Sequence, residues 1–409
     1  MTRTGLAGGL TAIWLLAATI PAASQSRPPA PPKRGPDVLL QLSIAAATTG
    51  LAEPYKGVTT NGNVEPGLFP ILSTGVSTEP MRIAADKFLA SLSPEQRWKT
   101  LLSVNDEEWR KWMNQSFYVR AGVSFLEMTE QQREAAFGML RAALSAKGFQ
   151  QTRDIMRLNH TLAELTDDNF DEYGEWQYYV TVMGVPSATE PWGFQLDGHH
   201  AIVNYFLLGD QVVATPFFGG SEPVTATFGK YRGTSILRQE ATEALELING
   251  LDESQRRKAI VDSSKTGDNN LAEAWKDNAV IDYAGIPAME LSDAQLRQLV
   301  TLVELYVGNM DDGHARVKMK EVLAHMDQTH FAWIGGTELD SAFYYRIQSP
   351  VIIVEFDHQR PVGMRHLLDP ALPSTQHVHI VVRTPNGNDY GKDLLRQHYE
   401  RQHSAARTL

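Results

Sequence analysis

Ala121 to Gln132 reads AGVSFLEMTEQQ and Ala284 to Gln295 reads AGIPAMELSDAQ, two stretches that align without a gap. Ala, Gly, Glu and Gln recur at the same places, and Val/Ile, Leu/Met, Met/Leu, Thr/Ser and Glu/Asp exchanges fill most positions between. Upstream, Ala85, Leu92, Gln96-Arg97 and Lys99 are echoed at equal spacing by Ala244, Leu251, Gln255-Arg256 and Lys258. Downstream, Tyr178-Tyr179 is answered by Tyr344-Tyr345, and the run from His199 to Val203 by the run from His377 to Val381. Matches that keep one order predict a duplicated unit. The expected fold class is α+β, with two pseudo-symmetric repeats, residues 37–230 and 231–409, each of helices followed by an antiparallel sheet. The halves should form one body, with a site at their interface and the two histidine clusters equivalent by ancestry.

The grammar within each half supports that order. Ser93, Thr129, Asp252 and Ser292 each precede a Gln by three residues, the pattern of a capping box in which two orphan backbone N–H groups are satisfied reciprocally. Farther along, the period changes to two. Trp176–Val182, Ile202–Leu208 and Gln211–Thr215 read as strands of the first half, the last two as a hairpin around Gly209-Asp210. Phe343–Ile347, Val351–Phe356 and Val378–Arg383 read as strands of the second. The connection from Asp357 to Gln376 is long, and loops of that length often border a site.

Composition restricts the function classes. The chain has no cysteine, which excludes thiolate catalysis, iron–sulfur clusters and cysteine zinc sites. Its formal net charge of −11 argues against a surface that tracks nucleic-acid phosphates. Residues 1–24 read as a signal peptide: Arg3, an apolar run from Leu6 to Ile20, then Pro21-Ala22-Ala23-Ser24. Gln25–Pro36, with five prolines, reads as an extended linker. No later stretch reaches the roughly 18 to 20 apolar residues that a span requires. An exported protein, periplasmic or extracellular, with no membrane span after signal removal is expected.

Chemistry-bearing residues gather on the strands. His377 and His379 are two apart, so a strand puts both imidazoles on one face, where they can share a metal or a substrate group. Glu355 and Asp357 have the same spacing on the preceding strand. Asp197-Gly198-His199-His200 supplies a second cluster; on a strand only one of the two histidines can face a given site, and His200 is the preferred one. Metal ligation is therefore assigned to His200, His377 and His379, with zinc favoured as the divalent ion. Glu355, His199, Arg346 and Arg383 are the catalytic candidates, the arginines as contacts for an anionic group. Trp192 and Phe194 form either a pocket wall or core. Asp389 is read as a cap for the helix from Lys392.

The set Trp192-Gly193-Phe194, Asp197-Gly198-His199-His200, Asn204, Phe331-x-Trp333-x-Gly335, Tyr344-Tyr345-Arg346-Ile347-Gln348-x-Pro350, Glu355-Phe356-Asp357, His377-x-His379 and Asn388-Asp389-Tyr390-Gly391 resembles the uncharacterised domain-of-unknown-function 3500 family. The resemblance covers most of the chain after the linker and implies no established reaction. This chain has Arg383-Thr384-Pro385 where the family pattern has Arg-Asp-Pro, which lowers the catalytic claim for that position. Two function classes follow from the residues. One is an exported enzyme, a metal-assisted hydrolase built on a His/carboxylate cluster and acting on a small-molecule substrate. The other is an exported protein that binds a small molecule or sugar without catalysis.

Overall fold

Helices form along the chain, four of them starting at the capping signals read above. In chain order they are α1 (Pro36–Gly50), α2 (Glu79–Ser91), α3 (Pro94–Thr100), α4 (Glu130–Ala143), α5 (Ala146–Leu165), α6 (Arg238–Asn249), α7 (Glu253–Ala259), α8 (Asp293–Val307), α9 (Asp312–Ala324) and α10 (Lys392–Ala406). The strands of the first half are β1 (Leu101–Leu102), β2 (Val123–Ser124), β3 (Tyr178–Met183), β4 (Trp192–Gly198), β5 (Ala201–Leu208), β6 (Gln211–Val213) and β7 (Phe217–Ser221). Those of the second are β8 (Ile260–Asp262), β9 (Ile286–Pro287), β10 (His330–Gly335), β11 (Phe343–Gln348), β12 (Ile353–His358) and β13 (Val378–Arg383). The structure is a computed structural model and describes residues 36–406. The signal peptide and all but the last residue of the proline-rich linker lie outside the described residues.

All four capping boxes close as their chemistry requires. Each glutamine then makes a second set of contacts. Gln132 Nε2 donates to Gln96 Oε1 at 2.8 Å and to the Ser91 carbonyl at 2.8 Å. In the second half Gln295 Nε2 donates to Gln255 Oε1 at 2.9 Å and to the Gly250 carbonyl at 2.9 Å. Beside these clamps Lys99 pairs with Glu127, and Lys258 with Glu290. The repeated sequence thus encodes a polar clamp that ties two successive helix starts together.

A large, mostly antiparallel sheet takes strands from both halves, joining into one what was expected as an antiparallel sheet in each half. Its order is β1-β3-β4-β5-β7-β13-β12-β11-β10-β8, with β2, β6 and β9 at the side. The halves meet where β7 and β13 pair antiparallel, with His379 opposite Gly220 and Ile380 opposite Gly219. Period two sorts the two faces. Val354, Phe356, Ile380 and Val382 pack into the core that contains residues of α2, α4, α5, α6, α8 and α9. Ile353, Val381, Ile202 and Phe218 face the other way, against Trp109, Trp112, Tyr390 and Leu394. Arg346 and Gln348 of β11, Glu355 and Asp357 of β12 and His379 and Arg383 of β13 share that second face, and the candidate site is built there.

Strand pairing corrects two of the matches read from the sequence. Tyr178 lies on β3, whose partners are β1, β2 and β4, whereas Tyr344 lies on β11, between β10 and β12. The strand with partners like those of β3 is β10, which pairs with β8, β9 and β11. The two histidine clusters likewise do not occupy corresponding places, since one lies in the β4–β5 turn and the other at the start of β13. They meet across the seam.

Candidate metal centre

His379 on β13 and His377, one residue before it, point to one side as the two-residue spacing requires, with their Nε2 atoms 3.1 Å apart. His200 reaches the same point from the β4–β5 turn, its Nε2 3.3 Å from that of His377. Ligand atoms of the three residues all lie within 4.8 Å of one another, and all three are buried. Bonds of 2.0–2.1 Å arranged tetrahedrally separate the nitrogens on one zinc ion by about 3.3 Å. The cluster therefore has the dimensions of a metal-binding set.

The turn explains how both histidines of the first pair enter the site. Gly198 pairs with Ala201, leaving His199 and His200 as the two residues of the bend. Because neither continues a strand, the rule that neighbours face opposite ways does not apply. Their rings stack, centroids 3.9 Å apart, and both line one cavity. His200 has φ 61°, a left-handed conformation that costs a non-glycine residue roughly 1–3 kcal/mol. The seam strand β7 supplies space instead of side chains: a Cβ on Gly220 would lie 2.5 Å from the Val378 carbonyl oxygen, 3.1 Å from His379 Cδ2 and 3.3 Å from His200 Cδ2.

Outer contacts set the protonation pattern. His377 Nδ1 donates to the Arg360 carbonyl at 2.7 Å, and His379 Nδ1 donates to Glu273 Oε1 at 2.8 Å. A carbonyl and a carboxylate only accept, so both Nε2 atoms present lone pairs. Two lone pairs 3.1 Å apart repel unless a proton or a cation lies between them. Burial raises the Glu273 carboxyl, but the His379 ring and the Asn270 amide outweigh it and hold it below the usual range. Burial, with the His199, His379 and His377 rings, holds His200 well below the ordinary imidazole value. His377 is also lowered by burial, opposed by Glu222. Neutral imidazoles are the form that ligates a metal.

His199 is the fourth imidazole. Asn159 donates to the Gly174 carbonyl at 3.1 Å, so its Oδ1 faces His199 Nδ1 at 2.7 Å and accepts from it. The tautomer that results leaves Nε2 unprotonated, and burial, then Arg120, holds the ring well below its ordinary pKa.

The other expected site residues serve the scaffold. Glu355 takes no part in the cluster: Oε1 accepts from Leu271 N–H at 2.8 Å and Tyr344 O–H at 2.7 Å, and Oε2 from Ala272 N–H at 2.9 Å. Arg346 lies opposite Glu355 in the sheet and donates to the Asp282 carbonyl. Arg383 is fully buried and committed to Asp277, Asp389 and the carbonyls of Ala272 and Glu273. Its parity with the histidines is as expected, but the anions it holds are the protein's own Asp277 and Asp389. Asp389 accepts from Arg383 and from Thr384 N–H, so it anchors that arginine in place of capping α10. Trp192 is core, not pocket wall.

Three contributors carried no signal in the sequence. Glu273 belongs to the segment that Arg383 and Glu355 hold. Glu222 accepts from the N–H groups of Gly363 and Met364 and so ties down the loop after β12. Asn159 projects from α5. Gly220, at the seam, leaves the room that the imidazoles occupy. Together the groups around the histidines enclose a cavity of about 260 Å³, into which Gln359, Val362 and Gly363 of the loop after β12 also project.

No curated protein and no solved structure matches the chain. The model of a family of proteins of unknown function, DUF3500, matches residues 74–392. That span contains the three-histidine cluster, His199 and the carboxylates beside them, and the chain belongs to the DUF3500 family.

Proposed function

We propose that this protein is an exported metal-dependent hydrolase whose ion, zinc by preference, is held by His200, His377 and His379. The observation that carries the reading is the pair of Nε2 separations, 3.1 and 3.3 Å, by which three buried imidazoles converge on one point. Three imidazoles with a carboxylate and a carbonyl behind two of them resemble the usual surroundings of a catalytic ion, and those outer partners fix the tautomers of His377 and His379. A zinc ion held by three histidines supplies Lewis acidity and makes water nucleophilic near neutral pH. His199, with its free Nε2 lone pair beside His200, takes the proton of the attacking water, and Asn159 holds its ring in place. Glu273 holds His379 from behind. The N-terminal signal reading supports export, and the body is one duplicated unit related by a pseudo-twofold at the β7–β13 seam. Matching clamps and matching strand order outward from the seam support that symmetry.

The test is metal content and turnover on the same preparation. Purified protein should hold close to one zinc per chain and hydrolyse simple activated esters, and His379→Ala should lose both while its circular dichroism is unchanged. Wild-type protein that takes up no divalent metal sinks the reading. Stoichiometric metal without turnover of any ester or amide favours the binding protein instead.

A further inference from the structure

We infer that the histidine cavity takes a substrate free of negative charge and rich in hydroxyl or ammonium donors, and rejects phosphates and carboxylates. The inference rests on the metal-centre reading for the location of the reacting group and goes beyond it in naming the substrate class. Four carboxylates line the cavity, Glu172, Glu222, Asp268 and Glu273, and no Lys or Arg is among its described lining residues. A divalent ion on the histidines offsets two of those four charges, so the cavity remains negative toward anything that enters.

Four basic side chains around the histidines each have a carboxylate partner already. Arg360 pairs with Asp268 at 3.6 Å. Arg120 is buried on Asp197 at 2.8 Å, and Lys265 on Asp357 at 2.8 Å. Arg383 is held by Asp277 and Asp389. A phosphate or carboxylate site needs a cation or a fork of N–H donors pointed at the ligand. Here the backbone N–H groups at the cavity edge, those of Val362, Gly363 and Met364, are spent on Glu222. What the wall offers beyond carboxylate oxygens is the side-chain amides of Asn114, Gln115 and Gln359 and the rings of Phe117 and Tyr173. Acceptors beside aromatic rings suit a polyol or an amine, each of which brings donors without negative charge.

The experiment uses the full mature chain and three p-nitrophenyl esters of similar length: the butyrate, the monoglutarate anion and the 4-(trimethylammonio)butyrate cation. In the zinc-loaded protein the anionic ester should show kcat/KM roughly tenfold or more below the other two, with the gap narrowing as salt is added. Asp268→Asn, which removes one lining carboxylate and releases Arg360, should raise the ratio of anionic to neutral ester turnover several-fold. Binding of tetramethylammonium, myo-inositol and succinate, followed by ligand-observed NMR on metal-free protein, separates this inference from the hydrolase reading. Binding by tetramethylammonium alone assigns the amine, and binding by inositol alone the polyol. Succinate binding as tightly as either, or an anionic ester used as well as the neutral one, overturns the inference even where zinc is stoichiometric. If no ester turns over and no metal binds, the hydrolase reading fails, while the NMR ranking still decides the charge preference.

Discussion

The helix-start clamps lie within each half and the strand seam joins the two, and they treat similarity in opposite ways. At the clamps, Gln96 and Gln132 in one half and Gln255 and Gln295 in the other make nearly the same bonds. At the seam the paired strands differ: β13 brings His379 and β7 answers with Gly220. Where both halves need the same thing, the residues stay alike. Where a site forms, one strand donates ligands and the other donates room. Sequence likeness between the halves therefore marks scaffold, and chemistry lies where the likeness fails.

Acid should separate the two regions most sharply. The clamps are uncharged amides, but protonation competes with metal at the seam. Burial holds His200 and His377 below the ordinary imidazole value in the folded protein, so the stability their neutral rings contribute is present above about pH 6.5 and lost as pH falls through their lower folded values. Equilibrium dialysis with zinc should show affinity that holds down to about pH 6.5 and falls, by about a hundredfold or more in all, only at lower pH, as two or more imidazoles must be deprotonated for each ion bound. Affinity that stays flat down to the acid limit of the folded state would remove the histidines from the ligand set.

Filling the space at the seam is the next largest intervention. Gly220→Ala places a methyl group against the Val378 carbonyl and both imidazoles. Zinc affinity should fall about 10–100-fold, the range typical of changes just behind the ligands, with a loss of stability of about 1–3 kcal/mol as the strand pair shifts to admit the methyl group. Gly209→Ala, at a site where a Cβ meets nothing within 4 Å, is the control for generic glycine effects, though its φ of 62° adds local strain. Equal metal affinity in wild type and Gly220→Ala would mean that the seam does not set the site's geometry.

The clamps themselves should respond alike and without touching the metal. Gln132→Ala and Gln295→Ala each remove a capping-box arm and inter-helix bonds, at a cost of about 1–2 kcal/mol. Urea unfolding should give losses that agree within about 0.5 kcal/mol, with zinc content unchanged. A strongly unequal pair would break the equivalence of the two halves.

The fold was legible where its determinants are local. A capping box is spelled within four residues, so Ser93, Thr129, Asp252 and Ser292 could be read directly, and His377 and His379 declared a shared face by spacing alone. The misreadings came from contacts between distant segments. Glu355 looked catalytic because strand parity puts it on the right face, but the N–H groups of Leu271 and Ala272 claim its oxygens. Glu273 was silent because nothing in Ala272-Glu273-Ala274 marks it, and only Arg383 and the folded segment bring it to His379. His199 and His200 looked like strand residues because apolar period-two sequence continues after them, and the two-residue bend becomes visible only in the pairing of Gly198 with Ala201.

His200 and His377 are 177 residues apart in the chain, and His379 follows still later. During synthesis from the N-terminus, the first ligand is made long before the other two, and β13 is the last strand of the sheet. A half-made chain therefore offers His200 without its co-ligands, and the site closes only when the final strand is inserted beside β7. Capture of an ion is thus a late event that reports a finished sheet, and a bound metal would act as a latch on the last strand, slowing its departure more than that of any helix.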